Sequence, residues 1–197
     1  VKLLVFGATG GTGARLLTQA LDAGHAVTVV ARDPGAIVLP DRARSDVIQG
    51  DVLEPHTWSG AMSGHDAVLS CLGTRDRKHP TTVYSQGTAN IIDAMNLAGV
   101  RRLVCLSSAG LEIPPGTPLG QRLVTRYVIQ RLYRYGYADM AVMERIVRAS
   151  DLDWTIIRPP MLTDSPSTGK TTSISRAELA RHMLEHLEDR KTWQQIV

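Results

Sequence analysis

Lys2-Leu3-Leu4-Val5-Phe6-Gly7-Ala8-Thr9-Gly10-Gly11-Thr12-Gly13 decides the reading of this chain. A short apolar run stops at Gly7. From Gly11 to Ala23, Leu16, Leu17, Ala20 and Leu21 then share one helical face, and Gly24 follows as a stop. Strand, glycine turn and helix follow one another without a spacer. Gly7, Gly10 and Gly13 carry the spacing GxxGxxG. The first glycine allows a tight turn, the second lets a pyrophosphate approach the main chain, and the third lets helix pack on strand. Free N–H groups at the helix start, at the positive end of its dipole, face the anion. Alone the spacing is weak evidence, but in this context it predicts a dinucleotide cradle made of Gly7, Thr9, Gly10, Gly11, Thr12 and Gly13.

Outward from that turn, apolar runs of strand length alternate with helical patterns. Val27–Ala31, Val47–Gly50, Ala67–Cys71, Arg102–Ser107 and Trp154–Arg158 read as further strands, and Thr192–Val197 as a short edge strand. Helices are expected from about Thr82 to Leu97, around Met140–Ser150 and over Arg176–Asp189. Val, Ile and Leu fill the strands without strict polar alternation, as in a parallel sheet covered on both faces. The expected fold is α/β: one Rossmann-type doubly wound parallel sheet, strand order 3-2-1-4-5-6, with helices on both faces. Residues 1–197 form one domain in this reading, with a small substrate-side region from 109–120 and 160–175. Gly110–Pro118 and Thr163–Ser175 read as loops at the carboxyl ends of the strands, where open α/β sheets hold ligands.

Composition narrows the function classes. The 197 residues are 43% hydrophobic and 21% charged, close to the globular average, with a net charge of +3. Without Lys/Arg blocks, that excess argues for neither nucleic acid nor a membrane surface as partner. Two cysteines make no disulfide framework, and no apolar run has the length of a membrane span. Val1 to Phe6 lacks the features of a signal peptide. The expectation is a cytoplasmic monomer or homodimer.

The end of the second strand bears on the choice of dinucleotide. An acidic residue there would accept from the adenosine ribose and repel a 2′-phosphate; this chain has Arg32, whose guanidinium can pair with that phosphate. Asp33 beside it is a competing contact to the ribose or to Arg32 itself. The reading favours NADP, with NADPH preferred over NADH.

Several stretches resemble a known group. The opening GATGGTGARLLTQAL, Gly50-Asp51-Val52, Cys71-Leu72-Gly73-Thr74-Arg75, Leu106-Ser107-Ser108-Ala109 and Ser150–Pro160 resemble atypical short-chain dehydrogenases/reductases. Within them, the chain is most similar to the NAD(P)H-binding, NmrA-like group containing flavin reductase/biliverdin IXβ reductase; Leu72–Arg75 followed by Pro80-Thr81-Thr82-Val83 points there most specifically. The resemblance implies that Thr12 and Gly13 lie on the pyrophosphate and Arg32 on the adenosine phosphate. Asp51 and Val52 would flank the adenine, and Leu72, Gly73, Thr74 and Arg75 would line the middle of the cofactor. Ser107 and Ser108 would stand near the nicotinamide as the catalytic pair, with Pro159 and Pro160 bordering its amide.

Departures from that pattern matter as much. No tyrosine has a lysine four residues later, so alcohol dehydrogenation by a Tyr-x-x-x-Lys pair is not expected. Met161 stands where the group's flavin/biliverdin reductase has a histidine, and Ala36 where it has a second basic residue. His182 and His186 share a helix face but lack a third ligand, and an exposed face is expected rather than a metal site. Cys71 and Cys105 read as buried free thiols. Tyr127, Tyr133, Tyr135 and Tyr137, among five arginines, read as a surface helix hairpin that offers a second role, stacking on a planar anion. Glu144 reads as a helix-surface charge rather than a buried carboxylate near the site.

The expected function is an NADPH-dependent reductase delivering hydride to a planar conjugated small molecule: a flavin, bilin or quinone. A non-catalytic NADP(H) sensor is the alternative. A sugar-nucleotide epimerase is disfavoured, because only 37 residues follow Pro160.

Overall fold

The computed structural model describes residues 1–39, 45–113, 116–165 and 173–197. In chain order the strands are β1 (Lys2–Phe6), β2 (Ala26–Ala31), β3 (Ser45–Gln49), β4 (Ala67–Ser70), β5 (Arg102–Leu106), β6 (Asp153–Ile157), β7 (Met161–Thr163), β8 (Ser173–Ser175) and β9 (Gln195–Ile196). The helices are α1 (Gly11–Asp22), α2 (Ser85–Ala98), α3 (Leu119–Val124), α4 (Gln130–Leu132), α5 (Arg134–Ala149) and α6 (Arg176–Glu188). A π-helical stretch, Thr125–Ile129, joins α3 to α4.

Seven strands form one parallel sheet in the order β3-β2-β1-β4-β5-β6-β9. The predicted order holds, and the C-terminal edge strand is present but short. Its register places Ile196 beside Ile156. Both faces are covered, so successive residues of a strand enter different cores. Leu3 and Val5 pack under α1 and α6 with Leu16, Leu17, Leu179 and Met183. Leu4 and Phe6 pack on the other face with Trp58, Ile91, Met95, Met143 and Val147, from α2, α5 and the turns before β4. This double burial explains why the strands read as continuous apolar runs.

One expectation needs correction. Thr163–Ser175, expected as a loop, has strand at both its ends: Met161–Thr163 pairs in parallel with Ser173–Ser175 as a separate two-stranded sheet. Strands of three residues leave no alternation long enough to detect in a sequence. Residues 166–172 of that segment, and 114–115 of the loop predicted over Gly110–Pro118, lie outside the described residues. Among the described residues no helix is long and apolar enough to cross a membrane.

Candidate functional site

The glycine turn after β1 has the geometry its sequence implies. Gly7 adopts φ +80°, and a Cβ there would collide with the Cys71 carbonyl oxygen. A Cβ on Gly13 would run into the Gly7 carbonyl oxygen and lie 2.8 Å from the Ala8 Cα. Both positions require glycine, for the turn and for the close approach of α1 to β1. The Gly10 amide donates to the Gly7 carbonyl at 3.0 Å, and the first helical bond runs from the Ala14 amide to the Gly10 carbonyl at 2.8 Å. The amides of Gly11, Thr12 and Gly13 come before that bond and have no acceptor within the helix. With Gly10 as N-cap, no side chain closes this end. Thr9, Gly10 and Gly11 are exposed, so the cradle opens to solvent. Its residues fit a diphosphate.

The other predicted positions ring the same edge of the sheet. Arg32 follows β2, is exposed, and has no ion pair among the described residues. Asp33 is occupied instead with the Gly35 amide, at 3.1 Å, capping a short 3₁₀ turn. After β3, Asp51 Oδ1 accepts from the Leu53 amide at 3.0 Å, and the Asp51 carbonyl accepts from Trp58 Nε1 at 2.8 Å. Val52 is buried, and its carbonyl accepts from Asn90 Nδ2 at 2.9 Å. Beyond β4, Leu72 is half-buried while Gly73 and Arg75 are exposed; the Thr74 amide donates to Tyr84 Oη at 3.3 Å. Burial pushes the thiols of Cys71 and Cys105 up to about 12, consistent with inert free cysteines.

The two serines after β5 separate in role. Ser107 is buried and donates to Glu144 Oε1 at 2.6 Å. The same carboxylate accepts from Arg158 Nε at 2.8 Å and Nη2 at 2.6 Å, and Arg158 also pairs with Glu112 at 2.9 Å. Glu144 is therefore a buried carboxylate, not a surface charge. Helical periodicity showed which face it occupied but not that Arg158 would arrive from β6 to neutralise it. These bonds, to Glu144 first and Glu112 second, hold the Arg158 guanidinium above its ordinary value. Arg158 leads into Pro159, whose carbonyl accepts from the Ala109 amide at 3.0 Å, while Pro160 is half-buried beyond it.

Ser108 is half-buried instead. Its Oγ donates to Tyr137 Oη at 3.4 Å and accepts from the Gly110 amide at 3.2 Å. Tyr137 stacks on Tyr133 with ring centres 5.7 Å apart, and the Arg77 guanidinium lies 4.6 Å from the centre of the Tyr133 ring. A Cβ on Gly110 would strike Tyr137 Oη, so that glycine makes room for the tyrosine. Sequence reading put Tyr137 in a group of tyrosines but not beside Ser108. The signal was its place on the helix that enters β6.

A hollow of about 340 Å³ lies beside the cradle, lined by Arg15, Asp164, Ser175, Arg176, Ala177 and Glu178. The larger one, about 780 Å³, opens at the opposite ends of the strands. Arg102 there spends its donors on the carbonyls of Leu187, Leu103, Asp153 and His186 and on Thr155, so that hollow is a structural joint away from the site. Among the described residues no His, Cys, Asp or Glu cluster suits a metal. His182 pairs with Glu185 at 3.1 Å, and both His182 and His186 are half-buried, so this helix face is less exposed than expected.

Known proteins resemble this chain in sequence and in fold. A family model described as NAD(P)H-binding matches residues 7–190. An uncharacterised chloroplast protein of Arabidopsis thaliana is 31% identical over 175 residues, covering 85% of this chain and 61% of its own length, so the chain spans less than two thirds of that relative. A short-chain dehydrogenase/reductase of Veillonella parvula, solved in complex with NADP, superposes with a TM-score of 0.79 at 19% identity over 99% of this chain and 92% of its own. The anaerobillin reductase ChuY of Escherichia coli O157:H7 superposes with a TM-score of 0.76 at 23% identity, over 100% and 95%. At those identities the two structures speak to the fold.

Proposed function

The chain belongs to the NAD(P)H-binding family, and on that premise we propose that it is an NADPH-dependent reductase acting on a planar conjugated small molecule such as a flavin, bilin or quinone. The observation that carries this reading is the Ser108–Tyr137 contact at the end of β5. It sets a polar pair at the edge of a flat aromatic stack, on the side of the sheet where the glycine cradle opens.

In this reading the amides of Gly10–Gly13 hold the diphosphate and Arg32 the adenosine 2′-phosphate. Asp51 and Val52 border the adenine, Leu72–Arg75 the middle of the cofactor, and Pro159 and Pro160 the nicotinamide end. The bound nicotinamide supplies the hydride. Ser108 orients the reacting partner by hydrogen bonding, and Tyr137 polarises that hydroxyl. Ser107, tied to Glu144 and Arg158, fixes the path of the main chain leading to Ser108. The Tyr133–Tyr137 stack and Arg77 suit a flat anionic acceptor. Ala141 follows Tyr137 by four residues where a lysine would lower its pKa, so the acceptor's proton comes from solvent.

Stopped-flow oxidation of NADPH and NADH against FMN, bilins and quinones tests the reading. Turnover of at least one acceptor, faster with NADPH and slowed about tenfold in Tyr137→Phe, is expected. Tight NADPH binding with no turnover across the panel would replace the reductase with a cofactor sensor.

A further inference from the structure

The side chain of Arg176 lies across the mouth of the glycine cradle. Arg176 is the first residue of α6, and its stem crosses Gly11, the first residue of α1. A Cβ on Gly11 would come within 2.7 Å of Arg176 Cδ and 2.9 Å of Nε, with Cζ at 3.8 Å. Gly11 thus does something besides opening the main chain to an anion: it leaves the groove in which this arginine lies. Gln19 Nε2 donates to the Ala177 carbonyl at 2.9 Å and fixes the start of α6 against α1.

Electrostatically, this is a costly place for a cation. The guanidinium stands at the positive ends of two helices at once, α1 and α6, and Arg15 lines the same hollow. Two carboxylates line the same hollow. Glu178 Oε2 already accepts from the Ser175 amide and hydroxyl at 3.0 and 2.8 Å. Asp164 pairs with Arg176 Nη1 at 2.9 Å, but its side chain is 77% exposed against 30% for Arg176. One solvated carboxylate sits against two helix starts and two arginines. A ligand with two adjacent negative charges would complement that arrangement better.

We propose that Arg176 is a positioning residue for the diphosphate of a dinucleotide, exchanging Asp164 for diphosphate oxygens when the cradle fills. This rests on the NAD(P)H reading and adds a clamp from the far end of the chain. Arg32 and Arg176 then divide the cofactor: one reads the adenosine 2′-phosphate and the other holds the bridge between its two nucleotides.

Isothermal titration of wild type, Arg176→Gln, Arg176→Lys and Asp164→Asn with NADP⁺, ADP and adenosine 2′-monophosphate separates the possibilities. Arg176→Gln is expected to weaken NADP⁺ and ADP about tenfold each while leaving the 2′-monophosphate within about twofold; Arg176→Lys recovers part of the loss. Asp164→Asn is expected to tighten both diphosphate ligands about two- to threefold. Unchanged NADP⁺ and ADP affinity in Arg176→Gln would overturn the clamp, as would equal weakening of all three ligands, the mark of a mere staple between α1 and α6. Wild-type protein that binds no nicotinamide nucleotide would sink the cofactor reading itself, a different result from either.

Discussion

Two helices begin side by side on the same face of the sheet, and they finish their first turns in opposite ways. At α6 the Ser175 hydroxyl accepts from the Glu178 amide at 3.1 Å, and the Glu178 carboxylate returns to the Ser175 amide at 3.0 Å: a closed capping box. At α1 a glycine caps without a side chain, and the turn before it packs so tightly that no Cβ fits at Gly7 or Gly13. α2, on the other face, is closed by a third device. The Asp139 carboxylate reaches over from α5 to accept from the amides of Tyr84 and Ser85. The starts of α6 and α2 are capped by side-chain oxygens and that of α1 is not, a difference that supports the proposal of an outside anion at α1.

The contrast breaks most severely at Gly13. Gly13→Ala forces a Cβ into the Gly7 carbonyl, and the expected result is loss of nucleotide binding by more than about a hundredfold together with about 3 kcal/mol of stability. Fluorescence titration with NADPH and urea unfolding measure the two losses. A variant of ordinary stability that still binds would show that the turn is not the cradle.

Next in size is Asp139→Ala. Removing a buried carboxylate that serves two amides and the Ser85 hydroxyl should cost about 2–3 kcal/mol, with NADPH affinity in the folded protein changed by less than about threefold. A binding loss larger than the stability loss would mean that α2 takes part in the site.

Ser175→Ala opens the α6 box for about 1 kcal/mol. Because Ser175 carries the box and Arg176 the proposed clamp, its NADP⁺ affinity should stay within about twofold of wild type. A loss matching that of Arg176→Gln would merge the two functions.

The smallest effect is in pH. Hydrogen bonds from Ser175, side chain first, hold the Glu178 carboxyl below its ordinary value. As pH falls below about 4.5, the unfolded chain takes up that proton first. The contribution of the box is complete above this value and drains away as pH passes down through the lowered one. Glu178→Gln should therefore show a shallower acid limb in thermal unfolding between pH 5 and 3, and an unaltered limb would deny the box any role in acid stability.

Much of this was legible in the chain itself. The glycine spacing, the doubly buried apolar strands and the alternation of strand with helix made the sheet and its order legible, because right-handed crossovers leave few alternatives. The capping box of α6, Ser175 and Glu178 three apart, carries a local signal that the sequence analysis did not use. Asp139 over α2, Glu144 under Arg158 and Tyr137 beside Ser108 were not legible in the same way. Each joins residues 14 to 55 positions apart, and helical periodicity states a face without naming what will meet it.

What the sequence determined alone was local: where glycine is sterically required, which runs are buried on both sides, and therefore an α/β sheet with an open helix start at its carboxyl edge. Tertiary structure decided which charges are matched across the chain. Arg176 became a neighbour of Gly11 only when α6 packed on α1. The reason is one of range: backbone sterics act over three or four residues, whereas charge pairing and burial are set by whatever the fold brings within a few ångströms.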